Sequence, residues 1–183
     1  MSSDRDINNQ QDDFIRDSEA RDASEVLKGL GTTTSSNAIK LQVARTHPDA
    51  QLPSYGRIGD AGLDLYSIAD VCLQPHQRTL IPTGIKLAIP PGYAGHVLPR
   101  SGHALKRGLT LVNAPGLIDS NYRGEIGIIA HNTDANHPIN IAAGERIAQL
   151  VITPIPLVEV AETDAETLGE TVRGEGGFGS SGA

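Results

Sequence analysis

One segment of this chain gathers more reactive side chains than any other: Asn113-Ala-Pro-Gly-Leu-Ile-Asp119-Ser-Asn-Tyr122-Arg-Gly124, set between apolar runs at 109–112 and 126–130. It brings an amide, a carboxylate, a phenol and a guanidinium onto one turn-forming stretch. A loop carried by flanking strands is where a β protein usually puts its working groups. Asn, Asp, Pro, Gly and Ser are also the residues that turns need for backbone reasons, and taken alone the segment reads more readily as a structural loop. Asp119 therefore has to be judged by its company.

Four other segments supply that company. Pro99-Arg100-Ser101-Gly102 joins a guanidinium, a hydroxyl and a flexible backbone, a combination that suits phosphate oxygens because Arg offers a charged planar fork and Ser and free amides add directed donors. Ala61-Gly-Leu-Asp64-Leu-Tyr-Ser67 places one carboxylate in apolar alternation, where a turn-capping role is the simpler reading. In Gly144-Glu-Arg-Ile-Ala-Gln149 the glutamine reads either as a satisfied buried amide or as a polar group turned to a ligand. Arg173-Gly-Glu-Gly-Gly-Phe178-Gly-Ser-Ser-Gly182 carries one cation and one aromatic among glycines that let a chain fold tightly over a bound group. An ordinary frayed tail is the plain alternative, but only two Phe occur in the whole chain and one lies here.

Other chemistries lack their signatures. There is no Gly-x-x-x-x-Gly-Lys-Ser/Thr loop, no nucleophile elbow and no Cys/His cluster, and His103, His131 and His137 lack metal-ligand spacing. A formal charge of −7 argues against a phosphate-neutralising nucleic-acid surface, so any phosphate must be gripped locally. No run approaches the ~18 apolar residues of a membrane helix, and the amino terminus has no secretory pattern. The single cysteine, Cys72, is expected to be a buried thiol in an apolar run, which suits a reducing cytosol. The expected location is cytoplasmic.

The elements that must position these groups are short. Ten β-type runs, at 39–44, 62–66, 78–81, 84–89, 93–98, 109–112, 124–130, 139–142, 146–153 and 157–160, are divided by Gly and Pro, and no helical period is evident. This favours an all-β sandwich, jelly roll or barrel. Residues 1–37 are polar, with eight acids against four bases, and are expected to be a disordered acidic extension. The β core is expected over 38–172, with a flexible arm at 173–183.

Read in order, the five segments closely resemble the five motifs of the trimeric dUTPase family over about residues 38–182. One such motif would be weak evidence, and five in order are specific. The resemblance implies a jelly-roll-like distorted β-barrel, a homotrimer with active sites shared between subunits, and Mg²⁺-dependent hydrolysis of dUTP to dUMP and pyrophosphate. Such an activity limits uracil incorporation into DNA and supplies dUMP for dTTP synthesis. By resemblance the segment 113–124 is a β-hairpin that receives uracil: Asn113 reads the pyrimidine edge, Tyr122 excludes a 2′-hydroxyl, and Asp119 activates the attacking water. Arg100, Ser101 and Gly102 hold the phosphate chain, Gln149 contacts the α-phosphate or its ordered water, and Asp64 steadies metal-bound water in the outer shell. Arg173 reaches the terminal phosphates, while Phe178 stacks on uracil. Neither nucleic acid nor membrane is implied as a direct partner.

Two positions depart from the pattern. Asn121 stands where many members have a second Asp, which removes a charge beside Asp119. His103 follows Gly102 where other side chains are frequent, and is expected to be a surface substitution. Two rivals remain: a dCTP deaminase of shared ancestry, and a non-catalytic binding module recruiting partners through residues 1–37. The Tyr122 segment together with the Phe178 arm favours the dUTPase, and the set of Asp119, Arg100 and Arg173 disfavours the module.

Overall fold

Along Glu125–Asn132 the residues Ile126, Ile128, Ala130 and Asn132 are buried and those between them are not, which is the two-residue period of a strand with one face on a core. The structure is a computed structural model that describes residues 38–176. Its elements run in the order β1 (Gln42–Arg45), β2 (Ser54–Tyr55), β3 (Leu63–Tyr66), β4 (Val71–Leu73), β5 (Arg78–Ala88), β6 (Tyr93–Pro99), α1 (Ser101–Arg107), β7 (Leu109–Leu111), β8 (Gly116–Ile118), β9 (Glu125–Asn132), β10 (Ile139–Ile141) and β11 (Arg146–Pro154). The paired strands are antiparallel and form three sheets, ordered β1-β5-β9-β7, β2-β3-β11-β6-β8 and β10-β4.

All three sheets feed one core. Ile81, Ile85 and Ile128 come from the first, Leu65, Val97 and Leu150 from the second, and Leu73 and Ile139 from the third. Each such Leu or Ile stabilises the fold by about 1.5–3 kcal/mol through burial. The expected all-β, jelly-roll-like barrel is what forms. A buried polar clasp closes one end: Asn132 donates from Nδ2 to the carbonyls of Leu73 (3.1 Å) and His137 (2.9 Å), and its Oδ1 accepts from the Asp134 amide at 2.9 Å.

Several local expectations change. The runs at 78–81 and 84–89 form one strand, β5, that passes through Pro82 and shifts register before Lys86. The irregularity is stitched to β9, because the Thr83 hydroxyl donates to the Ile126 carbonyl and the Gly84 amide to Glu125 Oε1 (3.0 Å). Gly84 has φ of 67°, and a Cβ there would lie 2.9 Å from that of Ala50, so only glycine fits.

A helix, α1, follows Arg100 where none was expected. The run at 157–160 forms no strand; Leu157, Val158 and Val160 stand exposed, since among the described residues no neighbouring strand offers them a ladder. Cys72 is exposed rather than buried: it alternates with the fully buried Leu73 on β4 and so faces out. Among the described residues no helix is long and apolar enough to cross a membrane. The acidic extension at 1–37, Phe178 and the rest of the arm beyond residue 176 lie outside the described residues.

Candidate active site

Strand register brings three of the motifs side by side. Gln149 on β11 lies opposite Asp64 on β3 and opposite Leu98 on β6, so the end of β6 delivers Arg100 and α1 beside them. Glycine at position 62 makes room for this approach, because a Cβ there would sit 2.9 Å from Gln149 Oε1 and 3.1 Å from its Cβ. Gln149 Nε2 donates to the Pro99 carbonyl at 3.5 Å.

Asp64 is 6% exposed and is the only buried ionisable side chain among the described residues. Its Oδ1 lies 3.4 Å from Arg100 Nε, and its Oδ2 accepts from Arg146 Nη1 at 3.3 Å. Two guanidiniums are thereby held against one carboxylate, which offsets the cost of burying its charge and aims both cations.

These residues line a groove of about 990 Å³. Arg57, Arg100, Lys106, Arg107 and Arg146 contribute cations to it, against the carboxylates of Asp60 and Asp64. Ser101 and Gly102, both exposed at the start of α1, add a hydroxyl and an open backbone. Such a concentration of Arg and Lys with directed donors is chemically suited to phosphate oxygens.

The segment 113–124 builds a second, smaller pocket of about 170 Å³ whose lining includes Asn113, Gly116, Leu117, Ile118, Asp119, Tyr122 and Glu125. The segment is not a simple hairpin. Strands β7 and β9 pair directly, and the chain between them leaves that sheet to lay β8 against β6 of the other. The Tyr122 ring is pinned at its tip, where the hydroxyl donates to the Glu125 carbonyl at 3.1 Å. A turn is closed by the Tyr122 amide on the Asp119 carbonyl (3.1 Å) and clamped by Arg123, whose Nη1 donates to the carbonyls of Ser120 (2.6 Å) and Tyr122 (2.7 Å). The Asp119 carboxylate is exposed at the pocket, and among the described residues no donor is placed on it. Asn121 is an exposed residue of the same turn.

The structure thus groups Asp64, Arg100, Ser101, Gly102 and Gln149 at one site and Asn113, Asp119 and Tyr122 at another. Arg173 joins neither; it lies in an exposed turn with Nε donating to the Gly176 carbonyl at 2.7 Å. Sequence reasoning missed Arg57, Lys106, Arg107 and Arg146 as groove cations. A signal existed for two of them: Lys106 and Arg107 followed by Gly108, which has φ of 68°, form the basic last turn and glycine stop of a helix. The expectation for His103 also fails. Its side chain is 19% exposed and its Nε2 lies 2.8 Å from the Arg146 carbonyl oxygen, because α1 turns it inward onto the β10–β11 turn.

The dUTPase family model matches residues 48–182. A deoxyuridine 5′-triphosphate nucleotidohydrolase of Mycolicibacterium gilvum is 50% identical over 148 residues, covering 79% of this chain and 96% of that protein. The solved dUTPase of Staphylococcus bacteriophage 80alpha with dUPNHPP superposes with a TM-score of 0.73 at 33% identity, covering 80% of this chain and all of that one. A point-mutant dUTPase from phage phi11 of S. aureus, described with a coordinated structural Mg(II) ion, has a TM-score of 0.65 at 28% identity, over 69% of this chain and 97% of that one. On the family match, the half-identical relative and a shared fold, this chain belongs to the dUTPase family.

Proposed function

We propose that this chain hydrolyses dUTP to dUMP and pyrophosphate by attack of water on the α-phosphorus. The observation that carries the reading is the cationic groove ordered around Asp64, formed in a chain whose net charge is −7. The substrate named for the half-identical relative supports dUTP as the nucleotide. This activity keeps uracil out of DNA and supplies dUMP for dTTP synthesis in the cytoplasm.

Asn113 and nearby backbone groups read the base. Uracil offers an acceptor at position 4 and a donor at N3, whereas cytosine reverses both, so a site matched to uracil leaves cytosine unpaired. The pinned Tyr122 ring leaves no room for a 2′-hydroxyl, and the close walls refuse the methyl of thymine. Asp119 takes a proton from the attacking water, whose oxygen bonds to the α-phosphorus as the bond to the bridging oxygen breaks and pyrophosphate departs. Arg100, Ser101, Gly102 and Gln149 hold the phosphates, since positioning and charge stabilisation supply most phosphoryl-transfer catalysis.

Magnesium fits this donor set as an ion carried in on the phosphates. Among the described residues no three His, Cys, Asp or Glu side chains group to hold a metal, and Asp64, already shared by two arginines, is left an outer-shell role through water. The ion would neutralise and orient the triphosphate. The active unit is a homotrimer. Exposed Leu80, Val112 and Leu117 support burial between copies, as does the unpaired apolar run at 157–160. The arm from Arg173, including Phe178, closes over a site on a neighbouring subunit.

Pyrophosphate release with Mg²⁺ from dUTP, dCTP, dTTP and UTP tests the reading. Turnover of dUTP far above the other three is expected. Equal turnover overturns the assignment, and ammonia release from dCTP moves it to a deaminase.

A further inference from the structure

Helix α1 carries Ser101 and Gly102 and follows Arg100 at its N-cap, yet it has no buried residue, and Leu105, its largest apolar side chain, is 87% exposed. A seven-residue helix does not sustain itself in water, and this one has no apolar face to dock it. Polar contacts must hold it.

Thr133 ties down the C-cap, its amide (2.9 Å) and hydroxyl (2.8 Å) both donating to the Gly108 carbonyl. The other contacts come from one face, where His103 and Arg107 are four residues apart and reach together to the turn before β11. Arg107 donates from Nη1 to Glu145 Oε1 and from Nη2 to the Asn140 carbonyl. His103 Nε2 meets the Arg146 carbonyl oxygen at 2.8 Å, and Arg100 Nη1 donates to the same oxygen at 3.2 Å. Arg107 Nη1 lies 3.5 Å from His103 Nδ1, so the contacts fit a ring with its proton on Nε2 and a lone pair toward the guanidinium. Glu145 itself is anchored: its Oε2 accepts from the Ala142 amide (3.0 Å) and its backbone carbonyl from the amide of the buried Ser67 (2.9 Å). The anchor is therefore the turn, and the part being fastened is the helix.

We propose that Arg107, Glu145 and His103 form a latch that docks α1 against the β10–β11 turn and so sets Arg100, Ser101 and Gly102 over the substrate's phosphate chain. They are positioning residues. The inference rests on the dUTPase reading of the groove and deepens it, by naming what holds one wall at the right distance from the other. A displaced wall weakens contacts to the phosphates while leaving the base pocket as it was.

The test is steady-state hydrolysis of dUTP by the full chain, with deoxyuridine, which lacks phosphates, as a competing inhibitor. Glu145→Gln, which removes no groove cation, is expected to raise KM for dUTP about tenfold with deoxyuridine inhibition within about twofold of the parent, and this variant separates the latch from direct phosphate contact by Arg107. Arg107→Ala is expected to raise KM at least as much. The double variant is expected to be no worse than the poorer single one, because both remove the same contact. His103→Gln, whose amide can donate to the same carbonyl, is expected to retain KM while His103→Ala raises it. This pair keeps the test open should Arg107→Ala fold poorly. Unchanged KM in a folded variant, additive effects in the double variant, or parallel loss of deoxyuridine inhibition overturns the latch. A parent protein inert toward dUTP overturns the enzymatic reading and the latch with it, whereas an active parent with unaffected variants overturns the latch alone.

Discussion

Val97 and Leu98 are consecutive on β6, yet Val97 lines the pocket of Asn113, Asp119 and Tyr122 while Leu98 lines the cationic groove. Successive strand residues point to opposite faces, so the two sites sit back to back across the sheet. Opening on opposite faces of one strand, they fit the reading in which the pocket of one subunit is paired with the groove of another. Asp119→Asn and Arg100→Ala are each expected to be nearly inactive alone. Unfolded and refolded together in equal amounts, they are expected to recover about a quarter of the parent activity, since random assembly of a shared site joins an intact pocket to an intact groove that often. Sites built within single copies would recover none.

The Asp119 carboxylate is exposed and, among the described residues, receives no hydrogen-bond donor, so its loss costs the fold little. Asp119→Asn is expected to lower kcat by about 10²–10⁴-fold, the usual worth of a positioned general base. Binding of the non-hydrolysable imido analogue, followed by calorimetry, is expected to stay within a few-fold. Unimpaired turnover would remove Asp119 from the base role.

Asp64 holds Arg100 and Arg146 at once. Asp64→Asn leaves two guanidiniums facing each other without a counter-charge, and it is expected to cost about 1–2 kcal/mol by denaturant titration, a modest figure because Arg146 is half exposed and screened. The loss in kcat/KM for dUTP is expected to exceed what that destabilisation explains. Parent-like kinetics would show that the arginines need no such partner.

Asp134 is held below the usual carboxylate range, first by the amide of Asn136 and then by that of His137, at 2.7 and 2.9 Å. A depressed carboxylate stabilises the native state at pH above its unfolded value of about 3.9, and that contribution is lost as pH falls through the lower folded value. Thermal midpoints measured from pH 6 downward are expected to fall less steeply for Asp134→Asn, which keeps the acceptor but not the charge. Identical acid limbs would exclude this loop from the acid response.

Much of the site was legible because its residues lie in short ordered segments whose chemistry is local: Arg100-Ser101-Gly102 offers anion contacts whatever surrounds it. His103 was misread because α1 is too short to show a period, leaving only Gly108 and the basic pair before it as signals. Arg57 and Arg146 carried no such signal, because the groove joins segments far apart in sequence. Cys72 was misplaced because three apolar residues in a row do not reveal which of them faces the core.

Residue types, their order and their alternation settled, without coordinates, that this is a β protein carrying the dUTPase motifs. Those properties are local, since a strand's period and a side chain's charge belong to the chain wherever it folds. Tertiary structure alone decided that Asp64 clasps two arginines, that Gln149 lies across from it, and that Val97 and Leu98 serve different sites. Register and partner choice come from packing between residues far apart in sequence, and a one-residue slip would turn every one of those side chains to the other face.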